Sequence, residues 1–207
     1  MNVLHAVIRP TTGQDPAGPP REGGDLRDRA AHEALALAAE RQGLTFAALP
    51  EDQRDGSHWS VSRTDAYVGG ATAPWPVGID VESLGDSPTA DADDVASEAE
   101  LEVVRSLFGE DTASAFARLR SAKEALLKLM DDDEDDDGLA RVILSPLADR
   151  EERQGLWLRR GHADHFVHQL RQGEHVASVA CGPVSKVHWD WQHATETVPP
   201  LLSSGNR

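Results

Sequence analysis

Between Val77 and Glu82 the chain alternates strictly: Val77, Ile79 and Val81 against Gly78, Asp80 and Glu82. A period of two belongs to a β-strand, and it puts the three apolar side chains on one face and the two carboxylates on the other. The apolar face requires a core to lie against. The opposite face carries Asp80 and Glu82 roughly 7 Å apart along the strand, because each residue rises about 3.3–3.4 Å. Two carboxylates at that spacing can converge on one hard divalent cation. Taken alone, a D-x-E at a strand end is more commonly a solvated face.

The surrounding pattern mixes helices and strands. Residues 11–24 are rich in Pro and Gly and read as a loop. Asp25 is placed as the N-cap of a helix in which Leu26, Ala30, Ala34, Leu37 and Ala38 recur at helical spacing, and Gly43 is its stop. Trp59 to Ser62 and Ala66 to Val68 read as strands around a short turn. Ser97 and Glu100 form a capping box ahead of Leu101, Val104, Leu107 and Phe108, with Gly109 ending that helix. A second helix spans about 112–130, its apolar face made of Phe116, Leu119, Leu126, Leu127 and Met130. Strands are expected at 140–144, 156–159, 165–170 and 175–180, and Trp189 and Trp191 alternate as in a terminal strand. The order of elements predicts an α+β fold.

On the second helix, Arg120, Glu124 and Lys128 are four residues apart and share one stripe. Such a stripe is ordinarily a surface row of ion pairs, each contributing tenths of a kcal/mol. Its alternative role is to offer a third carboxylate, with cations beside it, to a metal and a phosphate.

The two segments together are far more specific than either alone. Val77-Gly78-Ile79-Asp80-Val81-Glu82, followed by Lys123-Glu124-Ala125-Leu126-Leu127-Lys128, resembles the two signature motifs of the phosphopantetheinyl transferase superfamily. Glu124 follows Asp80 by 44 positions, which suits the family spacing. Trp59-Ser60-Val61-Ser62-Arg63-Thr64 resembles the family's S-x-S-H-S segment. Chain length favours the single-chain type, of the kind that activates surfactin synthetase, over the short type that assembles as a trimer.

The resemblance implies a pseudo-dimer of two similar α+β halves with the active site at their interface. The halves are residues 1–95, ending in the D-x-E strand, and 96–192, carrying the K-E-A-x-x-K helix, with 193–207 as a mobile tail. It implies transfer of 4'-phosphopantetheine from coenzyme A to a serine of an acyl or peptidyl carrier protein, releasing adenosine 3',5'-bisphosphate. Magnesium is expected on Asp80, Glu82 and Glu124. Glu124 and Lys128 are the expected catalytic residues, with Glu124 as base for the carrier serine. Ser62, Arg63, Lys123 and Lys128 are expected to bind coenzyme A. Two positions depart from the family pattern: Arg63 stands where a histidine is usual, and Arg120 where an aromatic is usual. A catalytically inactive homologue that binds coenzyme A or a carrier protein is the alternative. A carboxylate–metal phosphohydrolase acting on a nucleotide is a third.

Composition narrows the partners. The formal charge is −16, and it is still −9 without the seven acids of 131–137. That argues against a nucleic-acid surface, which needs a basic footprint. It also leaves phosphate binding to a few local cations. The acidic run reads as a solvated, self-repelling loop, with a calcium site as the alternative. No apolar run approaches the about 20 residues of a membrane span, and residues 1–10 show no secretory signal. Cys181 is the single cysteine and is expected as a buried apolar residue, and its lone presence makes a reducing cytoplasm the natural reading, while the resemblance to the single-chain type implies a monomer. His162, Asp164, His165 and His168 could suggest a metal cluster, but a polar-edged hairpin explains them more simply.

Overall fold

The computed structural model of the protein describes residues 3–11, 23–44, 58–84, 95–131, 136–149, 154–182 and 186–193. Their elements run β1 (Val3–Pro10), α1 (Gly23–Gln42), β2 (His58–Arg63), β3 (Tyr67–Ala73), β4 (Val77–Ser83), α2 (Glu98–Phe108), α3 (Thr112–Met130) and α4 (Asp136–Ala140). They continue with β5 (Val142–Leu144), a 3-10 turn (Pro146–Asp149), β6 (Gly155–Arg160), β7 (Ala163–Gln172), β8 (His175–Cys181) and β9 (Lys186–Trp191). The mixture of helix and sheet is the α+β class the sequence predicts.

The strands form two sheets, ordered β2-β3-β1-β9 and β4-β8-β7-β6-β5. Chain order and sheet membership cross over. β4 precedes α2 in sequence yet edges the second sheet, antiparallel to β8. The last strand, β9, edges the first sheet, parallel to β1.

The packing follows from which faces are apolar. Leu4 and Ala6 of β1, Ala71 and Ala73 of β3, and Val187 of β9 meet Val77, Ile79 and Val179 from the second sheet. Ile8 meets Val81 and Ala177 in the same interlayer. The small side chains Ala34 and Ala38 let α1 lie close over Val7 on the other face of the first sheet. On the far face of the second sheet, Leu119, Ala122 and Leu126 of α3 cover Leu156, Leu158, Val167 and Ala180, and α2 adds Leu101 and Val104. Ile79, Leu119 and Leu126 are fully buried, and each such side chain contributes about 1.5–3 kcal/mol.

β1 has no counterpart in the sequence expectations. Leu4, Ala6, Val7 and Ile8 are all buried because α1 lies on one face and the second sheet on the other. A strand covered on both sides shows no alternation.

Helix ends match their local chemistry. The Ser97 hydroxyl accepts from the Glu100 N–H, and a Glu100 carboxylate oxygen accepts from the Ser97 N–H at 3.0 Å. Gly109 ends α2 in the left-handed conformation, φ 67°. The α1 helix begins at Gly23, so Asp25 lies inside it and not at its N-cap. The strand expected from residue 140 begins at Val142, because α4 runs through Ala140. Of the acidic run, residues 136 and 137 belong to α4, while 132–135 lie outside the described residues, as does the expected tail from 194. Leu139, 2% exposed, pins α4 to the core.

A buried polar network fastens α3 to the second sheet. Arg118 donates to both oxygens of Glu110, at 3.0 and 2.7 Å, and to Gln169. Gln169 donates to Ser178, which accepts from Ser121 at 2.8 Å. Burial would push the Glu110 carboxyl up, but its hydrogen bonds and charge pairing with Arg118, and then with Arg171, hold it below its ordinary value.

Candidate active site

β2 and β4 are each the edge of their sheet, and they meet through side chains. The Ile79 N–H donates to Ser60 Oγ at 3.0 Å and the Val81 N–H to Ser62 Oγ at 3.1 Å. Two serines two apart on a strand face the same way, so their hydroxyls stand in for a neighbouring strand along β4. Ser62 Oγ also donates to Asp80 Oδ1 at 2.8 Å. One buried hydroxyl therefore fixes both the backbone and the carboxylate beside it.

The other face of β4 lies against α3. Gly78 permits this: a Cβ there would run into the Ala125 carbonyl and the Leu129 nitrogen. Backbone this close to the strand brings the helix stripe over the carboxylates. Lys128 Nζ donates to Asp80 Oδ1 at 3.0 Å and stands 4.0 Å from Glu124 Oε2. Arg120 Nε donates to Glu124 Oε1 at 2.8 Å and lies 3.5 Å from Glu82 Oε1. Asp80, Glu82 and Glu124 each present an oxygen within 4.8 Å of the others.

Burial first, then the charges of Asp80 and Glu82, push Glu124 up to about 8, against the pull of Lys128 and Arg120. Three crowded carboxylates favour a bound cation, and an all-oxygen donor set suits a hard divalent ion. A further observation agrees. Asp80 Oδ2 is buried and has no hydrogen-bond partner among the described residues, while Oδ1 already takes Ser62 and Lys128. The residues present therefore fit a divalent metal. They line a cleft of about 490 Å³, together with Ser62, Arg63 and Lys128.

The residues expected from sequence separate into two groups. Asp80, Glu82, Glu124, Lys128, Ser62 and Arg63 all line the cleft. Arg63 is half-exposed and pairs with Asp28 of α1 at 3.5 Å. Lys123 does not line it. A helix turns about 100° per residue, so Lys123 faces away from its neighbour Glu124. It is 1% exposed, pairs with Glu100 of α2 at 3.2 Å and donates to the Val95 carbonyl at 2.6 Å. Burial lowers its pKa against the opposing pull of Glu100. Its place is in the joint between α2 and α3.

Sequence reasoning missed Ser60, whose signal was the S-x-S repeat read only for Ser62. The residues weighed as a histidine-rich cluster form the β6–β7 hairpin: Asp164 accepts from Arg159 at 2.9 and 3.0 Å and from Ser145 at 2.6 Å. His168 packs edge-on against Phe166. Cys181 is partly buried, and burial pushes its thiol up to about 12. Among the described residues no helix is long and apolar enough to cross a membrane.

Comparison with known families gives a match. The family model of the 4'-phosphopantetheinyl transferase superfamily matches residues 76–180, just over half of the 207 residues. The matched stretch runs from the start of β4 to within one residue of the end of β8, so it takes in the whole second sheet and the α3 helix. No curated protein matches the chain. The convergence of Asp80, Glu82 and Glu124 within that stretch agrees with the family match, and the chain belongs to the 4'-phosphopantetheinyl transferase superfamily.

Proposed function

We propose that the protein transfers 4'-phosphopantetheine from coenzyme A to a serine of an acyl or peptidyl carrier protein, with magnesium at Asp80, Glu82 and Glu124. The observation that carries this reading is the meeting of those carboxylates, with Lys128, in one cleft of a chain of this family. Bound magnesium would supply charge neutralisation at the pyrophosphate. The carrier serine oxygen attacks the phosphorus that bears pantetheine. The phosphoanhydride bond breaks, and adenosine 3',5'-bisphosphate leaves. Glu124 takes the serine proton, directly or through water. Lys128 faces the developing negative charge, and Asp80 is held in position by Ser62. Arg63, at the cleft margin, binds the 3'-phosphate of coenzyme A after exchanging its exposed partner Asp28 for it.

The same reading takes the chain as a cytoplasmic monomer of two related halves, 1–95 and 96–192, with the cleft between them. The lining of the cleft supports its place between the halves, because Ser62, Arg63, Asp80 and Glu82 come from 1–95 and Arg120, Glu124 and Lys128 from 96–192.

An inactive homologue is the second reading. It is favoured by the pairing of Arg120 with two of the three carboxylates. Incubation with coenzyme A, magnesium and an apo carrier, followed by intact mass measurement of the carrier, decides between them. Transfer by the native chain that is lost in Asp80→Ala and Glu124→Ala supports the enzyme. A carrier of unchanged mass supports the inactive homologue, and full turnover by either variant removes these residues from the chemistry.

A further inference from the structure

The three carboxylates are already partly neutralised by the chain's own cations. Lys128 lies between Asp80 and Glu124, and it is 15% exposed. Arg120 Nε lies between Glu82 Oε1 and Glu124 Oε1, and it is 40% exposed. A divalent ion bound to these oxygens would stand about 2.0–2.6 Å from them. The Arg120 guanidinium meets two of the same oxygens at 2.8 and 3.5 Å. Both cations cannot hold those positions, because their mutual repulsion at that separation is large. Lys128 is enclosed, whereas Arg120 is a long side chain at the open margin of the cleft, so Arg120 is the one that yields.

We infer that Arg120 is a displaceable internal counter-ion that competes with the metal for Glu82 and Glu124 and couples metal binding to binding of an anionic diphosphate. The inference rests on the metal reading given under Proposed function. Without the diphosphate, the metal must break the arginine pairs and face the released positive charge. With the diphosphate in the cleft, Arg120 moves from carboxylate to phosphate, for which its planar fork is equally suited. The metal then takes the carboxylates without opposition. Each ligand lowers the cost of binding the other, and the coupling is reciprocal. Because the diphosphate belongs to coenzyme A, the device keeps the metal from settling in the cleft before its substrate.

The test measures Mn²⁺ binding to the full chain by electron paramagnetic resonance, with and without coenzyme A and with no carrier present. Native protein, Arg120→Gln and Glu124→Gln are compared, each checked for a native circular dichroism spectrum. Arg120 is half-exposed, so its replacement leaves the core intact. Arg120→Gln is expected to bind Mn²⁺ about tenfold more tightly than native protein in the absence of coenzyme A, the loss of a partly screened charge-assisted pair. Coenzyme A is expected to tighten Mn²⁺ binding by a larger factor in native protein than in Arg120→Gln. Glu124→Gln is expected to weaken Mn²⁺ strongly. If Glu124→Gln loses Mn²⁺ while native and Arg120→Gln bind it equally, the metal site stands and the counter-ion role is overturned. Equal coenzyme A factors in native protein and Arg120→Gln overturn the coupling. If Glu124→Gln leaves Mn²⁺ binding unchanged, the metal reading falls and the inference falls with it.

Discussion

Ser60 and Ser62 perform the same structural task and differ by one hydrogen bond. Each accepts a β4 backbone N–H, and each is nearly buried, at 7% and 6% exposure. Only Ser62 also donates to Asp80. Replacing either by alanine leaves a buried N–H unpaired, which costs about 1–3 kcal/mol. Urea unfolding should therefore show losses of similar size for Ser60→Ala and Ser62→Ala. Transfer activity should separate them. Ser62→Ala leaves Asp80 Oδ1 with the Lys128 bond and should lower turnover beyond what stability explains, while Ser60→Ala should stay near native in dilute buffer. Equal activity losses in the two variants would show that β4 backbone placement, and not the Asp80 bond, is what the hydroxyls supply. The sequence made Ser62 visible through its motif. It could not show that the hydroxyl turns inward to β4, because the partner is a sheet edge that sequence alone does not place.

At the scale of elements, the site is a crossing of β4 over α3, and Gly78 sets how close the two come. Gly78→Ala puts a methyl into the Ala125 carbonyl and the Leu129 nitrogen. Backbone on both sides leaves no flexible side chain to give way, so helix and strand must part. Overpacking of this kind costs about 1–3 kcal/mol or more. The separation also moves Glu124 away from Asp80. Gly78→Ala should thus lower the melting temperature and weaken Mn²⁺ binding together, although residue 78 offers no ligand atom. Native Mn²⁺ affinity in this variant would mean that the crossing distance does not set the metal geometry. Helix phase also decides how much of the site could be read in advance. Arg120, Glu124 and Lys128 were legible as one stripe because a spacing of four is a property of the chain itself. Lys123 belongs to the same motif but to another face, and its burial against Glu100 and the Val95 carbonyl depends on where α2 packs. β4 and α3 had clean periodicities and were read nearly to the residue. β1 lies between two apolar layers and carried no period to read.

The first sheet is completed by strands from both ends of the described chain, β1 to β3 and β9, while β4 to β8 form the second sheet between them. β4 comes before α2 yet belongs to the second sheet, and β9 comes after β8 yet belongs to the first. Between the sheets, Leu4, Ala6 and Ala73 share one cluster with Val77, Ile79 and Val179. On the other face of the first sheet, Asp190 of β9 pairs with Arg41 of α1 at 2.7 Å. Unfolding the first sheet would expose the apolar face of β4 and β8. Unfolding the second would remove the surface on which β1 and β3 lie. Each sheet thus covers apolar surface of the other, so denaturation should be a single cooperative step. Tryptophan placement makes this measurable, because Trp59, Trp189 and Trp191 lie in the first sheet and Trp157 in the second. In a Trp157→Phe variant, fluorescence reports the first sheet and the turn that carries Trp75, while far-ultraviolet circular dichroism reports all helices and strands. The two urea transitions should coincide in midpoint and slope. Coenzyme A with Mn²⁺ should move both by the same amount, since a ligand held by the native state alone stabilises the whole cooperative unit. A fluorescence transition at lower urea than the dichroism transition would mean that the first sheet opens alone. The β2–β4 contact would then be a hinge at the cleft, and ligand would move the later transition less than the earlier one.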